Sequence, residues 1–120
     1  MKTSTDILNE LPLTEVSYFI LLSLSPGPRH GYAIMKDVRS LSQGRVVLST
    51  GTLYGALKRM LELGWILRVA DASGSTSGRE RKFYRLSSIG NRILSAELER
   101  LDSLVAAARL RTDPSPANFA

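Results

Sequence analysis

Hydrophobic positions recur with helical spacing along most of this chain, and the exceptions fall between residues 65 and 87. In "EVSYFILLSLS", Val16, Phe19, Ile20, Leu21, Leu22 and Leu24 leave almost no polar face. That predicts a helix covered nearly all round, by its own domain and by a partner subunit. Thr14 is placed to cap it and Pro26-Gly27-Pro28 to stop it. A second helix follows from about Gly31 to Leu41, where Ile34, Val38 and Leu41 recur at i, i+4 and i+7. "SQGRVV" reads as a connector with room for a short strand. Ser49 is a good N-cap for a third helix within "GTLYGALKRMLELGWI", where Leu53, Ala56, Leu57, Met60 and Leu61 share one side. At roughly 100° per residue, Thr52, Gly55, Lys58, Arg59 and Glu62 fall away from that side, with Tyr54 at the border. Gly64 suits the left-handed residue that closes a helix.

The exceptions are "WILRVADA" and "RKFYRLS", two strand-like segments rich in β-branched and aromatic residues. They flank "SGSTSGRE", which is polar and glycine-rich and predicts a flexible turn. Ser87 then caps a long helix from about Ser88 to Arg111, on which Leu94, Leu98, Leu101, Val105 and Ala108 form a heptad stripe. "TDPSPANFA" reads as a tail with little order. Three helices, a hairpin and a long helix give a mainly α fold with a small β-hairpin. This is the order of a winged helix-turn-helix with a C-terminal dimerisation helix. The expected division is residues 1–87 as the DNA-binding domain, 88–111 as the dimerisation helix and 112–120 as the tail.

Composition adds exclusions. The 120 residues suit one domain, and 43% hydrophobic content is ordinary for a globular chain. The longest strongly apolar run, Val16 to Leu24, is too short to span a bilayer. "MKTSTDILNEL" has no apolar signal region, so the expectation is a cytoplasmic chain with no membrane partner. Without cysteine there is no disulfide and no thiolate site. His30, the only histidine, cannot make a structural zinc site alone and is expected to pack at the start of the second helix. No phosphate-cradling glycine loop precedes a helix and no carboxylates converge, so neither a cofactor, a metal nor an enzyme active site is expected. Charge changes the picture more. From Arg29 to Arg92 there are 12 Lys or Arg against 4 Asp or Glu, whereas the rest of the chain is net acidic. A basic centre of this kind is an electrostatic footprint for a polyanion, or else a solvated surface.

A helix that enters the major groove needs cationic and polar side chains backed by an apolar face. Thr50, Thr52, Tyr54, Gly55, Lys58 and Arg59 supply the outer face, with Gly55 allowing close backbone approach. Arg79, Arg81 and Lys82 follow the hairpin tip and could track a phosphate backbone or a minor groove. The plainer alternative is a partly buried Tyr54, a solvated Lys58 and Arg59, and a charged hairpin that blocks edge pairing. The apolar first helix and the last helix, through Phe19, Leu22, Leu94, Leu98, Leu101 and Val105, are expected to form a twofold homodimer interface.

"RHGYAI", "STGTLYGALKRMLELGWI" and "SGRERKFYRLSSIG", in this order and spacing, resemble the PadR-type transcriptional regulators over Leu13 to Arg92. The single helix after the wing looks like the compact subfamily. The resemblance implies a bacterial homodimeric winged-helix repressor of double-stranded DNA, often relieved by a small effector near the dimer interface. Here an apolar or aromatic effector is expected. By position, Tyr54 and Lys58 match recognition-helix residues and "GRERK" matches the wing. Ala33, Gly55 and Glu80 depart from the family's usual residues. The competing expectation is a winged-helix protein-interaction module that binds no DNA.

Overall fold

The computed structural model describes residues 3–70 and 82–112. Five helices and three strands follow one another: α1 (Ser4–Leu8), α2 (Glu15–Leu24), β1 (Arg29–His30), α3 (Gly31–Leu41), α4 (Thr50–Glu62), β2 (Ile66–Val69), β3 (Phe83–Leu86) and α5 (Ser88–Thr112). The four longer helices sit where the hydrophobic spacing puts them. Thr14, Ser49 and Ser87 each accept a backbone N–H from the first turn that follows, at 3.0–3.1 Å.

Three features depart from the pattern-based expectation. Helix α1 is added at the start, held by a reciprocal capping box between Thr3 and Asp6. The sheet has three strands in the order β1-β3-β2, all antiparallel, with Arg29 opposite Tyr84 and Arg68 also opposite Tyr84. The connector after α3 contains no strand; it opens on a left-handed turn at Gln43 (φ 55°) and Gly44 (φ 80°).

Helix α2 lies at the centre because almost every face of it is apolar. Its Ile20, Leu21 and Leu24 share one buried cluster with Ile34 and Val38 of α3, Leu53 and Leu57 of α4, the strand residues Ile66 and Leu86, and Ile93 of α5. Phe19 and Leu94 join this core. Tyr18 and Phe19 meet edge to face with centroids 5.2 Å apart. Most of the all-round apolar surface of α2 is thus covered within the protomer.

Two polar devices fasten α5 to this core. At its start, the Ser87 hydroxyl donates to the Gly64 carbonyl at 2.5 Å and lies 3.0 Å from the Trp65 carbonyl. The Ser87 N–H also donates to the Trp65 carbonyl at 3.0 Å. Gly90 follows one turn later, so close to the Trp65 peptide that an added Cβ would land on its carbonyl oxygen. Further along, the buried Glu97 carboxylate accepts the Leu13 N–H at 2.7 Å and pairs with Arg100, tying α5 to the entrance of α2. Beyond Arg100 the helix leaves the body, and every residue from 102 to 112 is exposed.

Gly90→Ala should destabilise the protein by about 1–3 kcal/mol in urea unfolding, since backbone has to move. Gly55→Ala, where an added Cβ meets nothing within 4 Å, should instead stabilise by about 1 kcal/mol through helix propensity. A pH dependence follows from Glu97. Burial alone would raise its pKa, but Arg100 and the Leu13 N–H outweigh it and hold the carboxyl below its ordinary value. Its stabilising contribution is therefore complete above the unfolded-state pKa and lost as pH falls through the lower folded-state one. Glu97→Gln should cost about 1–3 kcal/mol at neutral pH and flatten the acid limb of a stability-against-pH curve.

Candidate nucleic-acid interface

Both ends of helix α4 are closed by local hydrogen bonds. Ser49 caps the N-terminus, and its hydroxyl donates to Thr52 Oγ1 at 2.9 Å. At the C-terminus Gly64 adopts φ 77°, its N–H reaches the Leu61 carbonyl at 3.1 Å, and the Trp65 N–H reaches the Met60 carbonyl at 2.9 Å. This double closure is a Schellman motif, and it sends the chain directly into β2. Leu53, Leu57 and Met60 are buried, while Thr50, Thr52, Tyr54, Gly55, Lys58 and Arg59 all lie on the exposed side. The expected outer face of the helix is therefore assembled, with open backbone at Gly51 and Gly55.

Tyr54 has a second role. It is 43% exposed, yet its ring lies against the start of α3: a Cβ at Gly31 would stand 2.5 Å from its hydroxyl oxygen and 2.9 Å from its Cζ. Burial pushes the Tyr84 phenol above its ordinary pKa, neighbouring Tyr54 adds to that, and Arg68 opposes it. Tyr54 thus leans on the start of α3 while its outer edge faces solvent. His30 caps α3, its Nδ1 accepting the Ala33 N–H at 3.2 Å, and its ring meets Phe83 edge-on at 5.5 Å.

The basic residues divide by what they hold. Arg29 donates to the Ser23 carbonyl at 2.8 Å and stands 3.8 Å from Asp37. Arg45 pairs with Glu15, and Arg85 donates to the Leu86 carbonyl at 3.1 Å. Arg29 thereby braces the fold, whereas the contacts of Arg45 and Arg85 lie on the exposed surface. Lys58, Arg59, Arg68 and Lys82 are exposed and make no ion pair among the described residues. Lys82 stands at the base of the hairpin, just before β3; Arg79 and Arg81 lie outside the described residues. Tyr32 and Lys36 on α3 are not among the sequence-based candidates, yet they stand together on its outer face. Tyr32 is 65% exposed with the Lys36 ammonium 5.5 Å from its ring centroid. Their i, i+4 spacing opposite Ile34 and Val38 was the available signal.

Of the residues expected between subunits, Phe19 and Leu94 are buried in the protomer and Leu22 and Leu101 half-buried. Leu98 and Val105 remain 40% and 51% exposed, beside an equally exposed Leu104. Among the described residues no group of three His, Cys, Asp or Glu could hold a metal ion, and no helix is long and apolar enough to cross a membrane.

Helices α2, α3 and α4 packed on one core, cations on the outer face of α4, and a small antiparallel sheet after it define a winged helix-turn-helix regulator, a class that reads DNA with such a helix. Residues 20–96 match the model of the transcriptional regulator PadR-like family. The chain belongs to that family and is a transcriptional regulator, not an enzyme. Among solved structures it is similar to a PadR family transcription regulator from Clostridium difficile R20291, at 26% identity and a TM-score of 0.67, over 81% of this chain and 97% of that one. A PadR-like regulator from Bacillus cereus shares the fold at 20% identity and a TM-score of 0.66, over 93% and 100% of the two chains. Bacillus subtilis PadR, solved in complex with operator DNA, shares it at 24% identity and a TM-score of 0.63, over 72% of this chain and 48% of that one. Among curated proteins, none matches the chain.

The contact of Tyr54 with Gly31 makes a testable couple. Gly31→Ala should destabilise the native protein by about 1–3 kcal/mol, because the new methyl displaces the Tyr54 ring. In the Tyr54→Ala background the same change should cost far less. A double-mutant cycle by chemical denaturation should return a coupling of about 1 kcal/mol or more.

Proposed function

We propose that this regulator binds an inverted-repeat DNA operator as a homodimer, represses transcription from it, and is released by a small effector. The observation that carries this reading is the outer face of α4. Lys58 and Arg59 stand free on a helix whose other side is anchored by Leu53, Leu57 and Met60. Cations held on a rigid helix, with open backbone at Gly55, are what phosphate contact and groove entry require. Thr50, Thr52 and Tyr54 flank them, and Lys82, with Arg79 and Arg81, would extend the contact along the wing. Tyr32 and Lys36 add a third patch. That a regulator of the same fold from Bacillus subtilis was solved in complex with operator DNA supports a DNA partner.

Dimerisation is supported by the free end of α5. A helix end with no tertiary contact is marginal in water, and here it carries Leu104 and Val105, with the part-exposed Leu98 and half-buried Leu101 just before it. A second copy of α5 would cover them, with Leu22 at the margin. Residues 1–87 would then be the DNA-reading unit and 88–111 the dimerisation helix. Replacing Leu98 and Leu101 together by Asp should give monomers or insoluble chain in sedimentation; a well-folded dimer would place the interface elsewhere.

A salt titration on duplex DNA tests the DNA reading. If each protomer neutralises about four phosphates, log affinity against log salt should fall with a slope near −7. Lys58→Ala should flatten that slope by about one to two units, because a dimer loses the contact twice. Tyr54→Ala should cost affinity with less change in slope. An absence of binding even at low salt would favour a protein-docking module, and an unchanged slope in Lys58→Ala would remove α4 from the interface.

A further inference from the structure

Helix α4 carries long cations and short hydroxyls on its exposed side, and the two kinds reach different parts of a duplex. Lys58 and Arg59 reach phosphates from a distance. Thr52 is short, so it touches a base edge only where the helix backbone itself comes close to the groove floor. The helix is bare enough for that approach. Gly51 beside Thr52 and Gly55 one turn on carry no side chain, and an added Cβ at either meets nothing within 4 Å. The Thr52 hydroxyl, although exposed, is not free to turn. Ser49 Oγ accepts the Thr52 N–H at 3.1 Å and donates its own proton to Thr52 Oγ1 at 2.9 Å. Receiving that bond, Thr52 is left as the outward donor of the pair, with its methyl on the same carbon.

A donor beside a methyl is complementary to one base edge of the major groove. Thymine alone presents an acceptor, O4, next to a methyl; cytosine puts a donor at the same place, and the purines have no methyl. We propose that Thr52 reads a thymine in the stretch of DNA facing each α4, donating to O4 and packing its methyl against the thymine methyl. Ser49 is the positioning residue that fixes the direction of the Thr52 hydroxyl. The assignment rests on the reading of α4 as the DNA-contacting helix. It adds a base preference that Lys58 and Arg59, as phosphate contacts, do not carry. Ser49 then has two separable duties: it caps the helix by accepting the Thr52 N–H, and it orients the hydroxyl by donating to it.

The test uses the full chain and a duplex that it selects from a randomised pool. At each selected thymine, uracil removes only the methyl. 5-Methylcytosine paired with guanine keeps the methyl but puts an amino donor in place of O4. At the thymine read by Thr52, the wild-type protein should lose about threefold in affinity on uracil and about tenfold on 5-methylcytosine. Thr52→Val should keep the loss on uracil and bind thymine and 5-methylcytosine equally, to within about twofold. Thr52→Ser should do the reverse. Ser49→Gly removes the orienting hydroxyl at little cost to the cap, so it should fold normally yet shrink the loss on 5-methylcytosine to about threefold or less. If Ser49→Gly does not fold, Ser49→Asp retains the cap, can only accept, and turns the Thr52 proton inwards with the same relaxation. Base preferences in Thr52→Val that match wild type at every selected thymine overturn the thymine assignment. An undiminished loss on 5-methylcytosine in the folded Ser49 variant overturns the role of Ser49. The Lys58→Ala salt titration separates the two levels. A flattened slope beside unaltered preferences means that α4 contacts DNA and only the base assignment has failed, whereas an unchanged slope means that the reading of α4 has failed with it.

Discussion

The Trp65 carbonyl oxygen receives the Ser87 backbone N–H and lies within reach of its hydroxyl, and it faces the hydrogen of Gly90 where any other residue would place a carbon. One peptide group thereby joins the exit of α4, the first residue before β2, the last before α5, and α5 itself. Each partner has its own reason to be there. The Schellman closure at Gly64 delivers Trp65 at a fixed angle, β3 pairs with β2 in register up to Leu86 opposite Ile66, and Ser87 turns from strand pairing to helix capping within one residue. If this junction slackened, the fourth helix, the hairpin and the long helix would lose their common reference.

The Glu97 bridge does comparable work at the opposite flank. A buried carboxylate is costly unless its oxygens are occupied, and here a backbone N–H from Leu13 and the guanidinium of Arg100 occupy them. The entrance of α2 is thereby fixed against α5. Leu13 and Trp65 both line the recess between α4 and the entrance of α2, so the two fastenings of α5 hold opposite sides of one helix-lined space. The exposed face of α4 is polar and individually weak in its contacts. It is rigid because its back is tied down at both flanks.

Much of this is legible in the amino-acid sequence. Thr14, Ser49 and Ser87 announce helix starts, Gly64 announces an end, and the apolar spacing between them leaves little choice of element. What stayed hidden needed either shortness or distance. Helix α1 is too short to show a period, although the Thr3 and Asp6 box was there to be read. Strand β1 is two residues long and exists only because β3 supplies hydrogen-bonding partners from far along the chain. Heptad spacing puts Leu94 and Leu98 on one stripe, but it cannot say which body covers each, and the protomer's own core takes Leu94 together with Phe19. On α4, spacing puts Lys58 and Arg59 on the outer side and Tyr54 at the border, where the structure has them. It could not show that the border residue leans on Gly31, because that contact is tertiary.

The contact between Tyr54 and Gly31 also bears on how such a sequence can drift. A side chain at position 31 is disfavoured for as long as position 54 carries this ring, since the ring occupies the space where a side chain would begin and would have to move aside. A change at 31 alone meets an obstacle, whereas loss of the ring at 54 opens the position to other residues. Among diverging descendants of this chain the two sites should therefore be inherited as a pair. A small residue at 54 should mark the lineages in which the glycine before Tyr32 has been released.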